Sequence, residues 1–190
     1  MNEIGLKCEV RKRRRIREKE IKNTSINIEN LVTRDYDNLS HSETILATDV
    51  TYIKSPKDLE QNHVFLSALI DHRSKVIVSY NLSTNNNTDL VIKHLKDLNY
   101  DQNVIIHSDH GCQYSSKQFT NLIKSKGWKQ SMSRVGNCLD NREIKHWFGV
   151  LKTELIYNLD FSEITYADLK QKIDEYIFYY NNIRIQQKLN

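Results

Sequence analysis

Apolar positions fall in two rhythms along this chain. From residue 44 they come as β-type blocks. "TILATDVTYI" (44–53) is apolar or β-branched on both faces, the pattern of a central strand covered on both sides. "HVFLSALID" (63–71) and "KVIVSYNL" (75–82) flank the tight "DHRS" and predict a hairpin. A helical period then takes over in "TDLVIKHLKDL" (88–98), with Leu90, Val91, His94, Leu95 and Leu98 on one stripe. "NVIIHSD" (103–109) predicts a short buried strand. "SSKQFTNLIKSKG" (115–127) predicts a helix stopped by Gly127, and "WKQSMS" a last short strand. After the loop "RVGNCLDN", Ile144, Phe148, Leu151 and Leu155 return to helical spacing. A final helix starts at Thr165, whose T-x-x-D spacing to Asp168 is that of a capping box. Three antiparallel strands, then strands alternating with helices, predict an α/β mixed sheet flanked by helices.

Composition changes this picture little. Five Gly, one Pro and no internal repeat in 190 residues imply one domain. We divide it into a basic arm and connector (1–43), a core (44–160) and a C-terminal helix (161–190). Cys8, Cys112 and Cys138 are odd in number, with no C-x-x-C pair, so neither a disulfide framework nor a zinc ribbon is expected. No apolar run approaches the roughly 20 residues of a membrane span, and no signal-peptide core opens the chain. A soluble intracellular protein with no membrane partner is expected.

Charge is distributed unevenly. The formal net charge is +4, yet "KCEVRKRRRIREKEIK" (7–22) holds nine Lys or Arg against three Glu, leaving −2 for the remainder. Arg11, Lys12, Arg13, Arg14, Arg15 and Arg17 are its dense centre. Two readings stand: a solvated tail, or an arm lying on nucleic-acid phosphates with release of counterions.

Two aspartates stand out by position. Asp49 interrupts an apolar strand, where a charge is costly unless paired or metal-bound. Asp109 follows "VIIH" at the C-terminal end of a strand, where open α/β sheets place ligands. Singly, each is more ordinarily a structural carboxylate. On neighbouring strands they would form a close pair of hard oxygen ligands suited to Mg²⁺ or Mn²⁺.

Six blocks in order, "LATDVTYI", "VFLSALIDHRSKVIVSYNLS", "VIIHSDHGCQYSS", "SMSRVGNCLDN", "FGVLKTEL" and "YYNNIRIQQKLN", resemble the integrase-type catalytic core of bacterial insertion-sequence transposases. More narrowly they resemble the second-frame product of two-frame elements, related to retroviral integrases, from about residue 25 to the end. The resemblance implies a ribonuclease-H-like fold, a mixed five-stranded sheet flanked by helices. It implies DNA strand cleavage and transfer at element ends, with two Mg²⁺ or Mn²⁺ ions held by an Asp, Asp, Glu triad. It also implies DNA as partner, a homo-oligomer, and a cytoplasmic protein found at the nucleoid when bound to DNA.

Asp49 and Asp109 match the first two acids of that triad. The third should be a Glu thirty-five intervening residues after Asp109, and that position is Lys145. Glu143, two residues early, lies about 200° around a helix from it and is a weak substitute; Glu154 lies about 13 Å along the axis. An ammonium cannot act as an anionic ligand, and ~4 Å from a divalent ion it would be repelled by on the order of 8 kcal/mol at an effective dielectric of ~20. An intact two-metal site is therefore not expected. Lys145 is expected beside Asp49 and Asp109 as an internal counter-charge.

Several other residues carry competing readings. Lys152 shares the face of residue 145 seven positions on and is expected to meet DNA backbone. His107 and His110 bracket Asp109 but read as pocket-edge histidines rather than ligands. Trp128, Trp147, Tyr176, Tyr179 and Tyr180 read as core, and Ser108 lacks the setting of a nucleophile. The helical region that usually precedes such a core is expected to be reduced to the basic arm, and the chain stops at "QQKLN", short of the usual end. Three functions follow: an integrase core of a transposase, impaired by Lys145; an inactive DNA-binding remnant; or a repurposed interaction protein without nuclease activity.

Overall fold

The computed structural model describes residues 28–32, 43–100, 103–134 and 141–185. The basic arm, most of the connector, residues 135–140 and the last five residues lie outside the described residues. Five strands form one sheet: β1 (Thr44–Lys54), β2 (His63–Asp71), β3 (Ile77–Ser83), β4 (Val104–Ser108) and β5 (Lys129–Met132). Their order is β3-β2-β1-β4-β5. β1, β2 and β3 pair antiparallel, while β4 runs parallel to β1 and to β5. The helices are α1 (Thr88–Lys96), α2 (Lys117–Ser125), α3 (Arg142–Glu154) and α4 (Tyr166–Asn182), with a short 3₁₀ turn at Ile156–Asn158.

The β1–β2–β3 meander is set by turn chemistry. Asp71 Oδ1 accepts the N–H groups of Arg73 and Ser74, each at 2.8 Å, and the turn closes through Lys75 at φ 58°. That left-handed residue postpones β3 to Ile77, two residues after the expected strand start at position 75. The α4 start matches its sequence signal: Thr165 accepts from the Asp168 N–H, and the Asp168 carboxylate accepts the Thr165 N–H at 2.9 Å. Gly127 ends the α2 region at φ 70°.

Two apolar cores cover the sheet. One joins Ala47, Val64, Leu66 and Ile70 to Trp147 and Leu151 of α3 and Ile173 and Ile177 of α4. The other joins Leu46, Leu69 and Ile106 to Val91 and Leu95 of α1 and Phe119 and Ile123 of α2. Trp128, Trp147, Tyr176 and Tyr180 are buried as expected, whereas Tyr179 is exposed. Edge strand β3 is covered by α4, where the Asn181 amide donates to the Ile77 carbonyl and accepts its N–H. Part of the expected connector also docks: Glu29 O accepts the Met132 N–H, and Val32 is buried with Ile45 and Ile105.

Candidate active site

Strand pairing brings the two expected aspartates to one level. Ala47 lies opposite His107 in the parallel β1–β4 register, so two residues further along, Asp49 comes level with Asp109 just past the end of β4. Each carboxylate is oriented locally. Asp49 Oδ1 accepts the Val50 N–H at 2.8 Å, and Asp109 Oδ1 accepts the Gly111 N–H at 2.8 Å. A Cβ on Gly111 would stand 3.0 Å from Asp109 Oδ1, so that turn is shaped around a residue without one.

Burial and the neighbouring Asp109 charge push the Asp49 carboxyl up to about 6, against an ordinary 3.8. The Val50 N–H and, to a smaller extent, the Lys145 ammonium act the other way. The pair is thus an under-compensated concentration of negative charge.

Beneath the carboxylates lies a polar contact that sequence reasoning missed. Tyr114, fully buried, places its hydroxyl 3.3 Å from Thr48 Oγ1, and burial, with the fields of Asp49 and Asp109, holds its pKa far above the ordinary value. Asn141, at the start of α3, donates its amide to the Thr48 carbonyl at 3.0 Å. That bond ties α3 to the backbone beside Asp49. Thr48 and Tyr114 are 66 residues apart and Thr48 and Asn141 are 93 apart, so no local signal announces either contact.

Lys145 is exposed on α3. Its field reaches Asp49, yet among the described residues no carboxylate lies within ion-pair distance of its ammonium. It acts on Asp49 without contact. Glu143 is occupied elsewhere: it lies 3.7 Å from His72, 3.8 Å from Lys75 and 3.4 Å from Arg142, at the β2–β3 turn. Burial favours its neutral form, but protonated His72, Lys75, Arg142 and a backbone N–H outweigh burial and hold its pKa below the ordinary range, while burial in turn lowers the pKa of His72. Glu154 is likewise committed, to Arg184 at 2.8 Å and to the Tyr176 hydroxyl.

His107 is buried, with Nδ1 3.0 Å from Ser131 Oγ, whereas His110 is exposed. The Ser108 hydroxyl donates to the Asp109 carbonyl. Lys152 lies over the ring of Tyr52, 4.7 Å from its centroid. Among the described residues no group of three or more His, Cys, Asp or Glu is placed to hold a metal ion. The donor set fits one hard divalent cation between Asp49 and Asp109, each with an oxygen left outside its local hydrogen bond. It does not supply the third carboxylate that a second ion requires.

Comparison with known proteins agrees with this architecture. Two models of the integrase core domain match, over residues 40–138 and 145–189. The chain is 37% identical to InsK, the transposase ascribed to insertion sequence element IS150 of Escherichia coli, over all of this chain and 65% of that protein. A transposase-like protein of Haemophilus influenzae is 35% identical over 85% of this chain and 73% of its own length. The chain thus spans roughly two-thirds of these relatives. Among solved structures, the simian T-cell lymphotropic virus intasome matches with a TM-score of 0.60 and 17% identity, over 75% of this chain and 50% of that one. The HTLV-2 integrase catalytic core in complex with magnesium matches with a TM-score of 0.53 and 16% identity, over 75% and 89%. The fold is that of the ribonuclease-H-like integrase cores, and by its sequence this chain belongs to the integrase core domain family in its insertion-sequence transposase branch.

Proposed function

We propose that this chain acts on DNA as the integrase core of an insertion-sequence transposase whose strand-transfer chemistry is impaired at its third acid position. The observation that carries the reading is the Asp49–Asp109 pair, level on adjacent parallel strands, with the exposed ammonium of Lys145 where the family supplies a carboxylate. The magnesium of the HTLV-2 core and the DNA-directed roles of the relatives support a divalent ion and DNA as ligands.

Asp49 and Asp109 would hold one Mg²⁺ or Mn²⁺, whose chemistry when bound is Lewis-acid assistance to phosphoryl transfer. Thr48, Tyr114 and Asn141 fix the backbone and floor that orient Asp49. Lys145 repels the second cation and draws phosphate instead, which favours DNA binding over cleavage. Lys152 and the cluster Arg11, Lys12, Arg13, Arg14, Arg15 and Arg17 supply backbone contacts. We place the protein in the cytoplasm, at the nucleoid when DNA-bound, and acting as a homo-oligomer. Among the described residues no helix is long and apolar enough to cross a membrane.

Strand transfer, assayed with Mg²⁺ or Mn²⁺ on DNA carrying the ends that flank the gene, tests the reading. The unaltered chain should give no product, and Lys145→Glu should gain Mn²⁺ affinity by titration calorimetry. Robust metal-dependent product from the unaltered chain would refute the impairment.

A further inference from the structure

Tyr52 is an aromatic ring left in solvent, 62% exposed, on the same strand as Asp49 and three residues further along, roughly 10 Å at ~3.3 Å per residue. Its ring meets His63 edge-on, with centroids 5.2 Å apart and planes at 84°. The Lys152 ammonium lies 4.7 Å from its centroid, within the range of a cation–π contact. Partial burial lowers the pKa of Lys152, yet among the described residues no carboxylate pairs with it. A half-desolvated cation held by a ring and by no anion has its counter-ion still to come.

The geometry of α3 says where that anion would lie. Lys145 and Lys152 are seven residues apart, two turns and roughly 10 Å along the axis, so they share a face. The first projects its field onto Asp49 and the second touches Tyr52, so β1 and α3 run side by side over that distance. Gly149 lies between the two lysines, exposed, and a Cβ there would meet nothing within 4 Å. The face of α3 from Lys145 to Lys152 is open to solvent. Its length matches about three phosphates of one DNA strand at roughly 3.4 Å each along the duplex axis.

We propose that Tyr52 is a positioning residue: its ring holds the Lys152 ammonium at the far end of this face, where it binds a phosphate about three positions along the strand from the phosphodiester that lies at Asp49 and Asp109. The proposal rests on the DNA-directed reading above and adds a residue and a geometry to it. A ring that merely covers the lysine stem would leave DNA affinity untouched when removed.

The test uses the full chain, a fluorescein-labelled linear duplex of mixed sequence, and anisotropy at several salt concentrations. Tyr52→Phe keeps the ring and should bind within about twofold of the unaltered chain. Tyr52→Leu should bind about three- to fivefold more weakly. Lys152→Ala should weaken binding and flatten the log–log salt dependence by about 0.9, one phosphate's worth. The double variant should bind no more weakly than Lys152→Ala, because the ring acts through the ammonium. NMR of the Lys152 ε-methylene supplies a readout that needs no DNA. An upfield ring-current shift should be present in the unaltered chain and Tyr52→Phe, and absent in Tyr52→Leu. Normal affinity in Tyr52→Leu, or additive losses in the double variant, overturns the positioning role alone. A ring-current shift without any binding of the duplex overturns the DNA reading, and the phosphate role with it. No shift in the unaltered chain overturns the clamp itself.

Discussion

Asp49→Asn should stabilise this protein at neutral pH, although it removes a residue of the proposed active site. Burial and Asp109 push the Asp49 carboxyl up to about 6, against 3.8 for the ordinary group. Between those values the folded state holds a proton that the unfolded state has released, so stability falls as pH rises through that window. Above it the loss is complete. At about 1.36 kcal/mol per tenfold in proton affinity, the ceiling is about 3 kcal/mol. Water reaching the site relaxes part of this, so about 1–2 kcal/mol is expected. Asparagine keeps an oxygen for the Val50 N–H and removes the repulsion of Asp109. Urea denaturation in the presence of a chelator, at about pH 4.5 and about pH 7.5, measures the difference. The variant's advantage should be small at the lower pH and reach its full size at the higher one. A variant equally or less stable than its parent near pH 7.5 would show that the pair is compensated in the folded state, and the electrostatic account of the site would fail.

Two substitutions probe how the site and the edge of the sheet are built. Gly111→Ala would place a Cβ 3.0 Å from both Asp109 Oδ1 and Gln113 Oε1. Those side chains must give way, so a loss of about 1 kcal/mol in thermal unfolding is expected, with weaker Mn²⁺ binding in the Lys145→Glu background. Unchanged metal affinity would show that the Gly111 turn does not set the Asp109 carboxylate. Asn181→Ala removes both side-chain bonds to Ile77 at the edge strand and should cost about 1–2 kcal/mol, read by denaturant midpoint. An unchanged midpoint would mean that water replaces the amide there.

The strands were legible because each is a short β-branched or apolar run bounded by turn residues, and the helices because their apolar spacing is regular. What the local pattern could not supply is anything that depends on a partner far along the chain. The buried Tyr114 hydroxyl reads as one more core aromatic until β1 is seen to place Thr48 beside it. Asn141 reads as a helix start, yet it makes no side-chain cap and instead donates to the Thr48 carbonyl. Tyr52 alternates correctly for an exposed strand position, so nothing in the run marks it as the partner of a lysine a hundred residues later. The Ile156–Asn158 turn was missed for a different reason, since one 3₁₀ turn is too short to show a period.

Lys145 illustrates where sequence and structure divide the work. Counting residues locates the substitution, and the expectation built on it is an internal counter-charge beside both aspartates. The structure leaves the ammonium exposed, so the pair is not neutralised by contact and the carboxyl of Asp49 remains raised. This arrangement is tolerable in a way that a buried lysine would not be. A flexible side chain on the solvent side of α3 keeps its hydration and escapes the desolvation cost of an internal ion pair. It also explains why the fold survives the change: no core contact depends on residue 145, whereas its neighbours Ile144 and Trp147 are fully buried. Selection acting on the fold alone would therefore be nearly blind to this position, and only the chemistry at the carboxylates would register whether it carries a lysine or a glutamate.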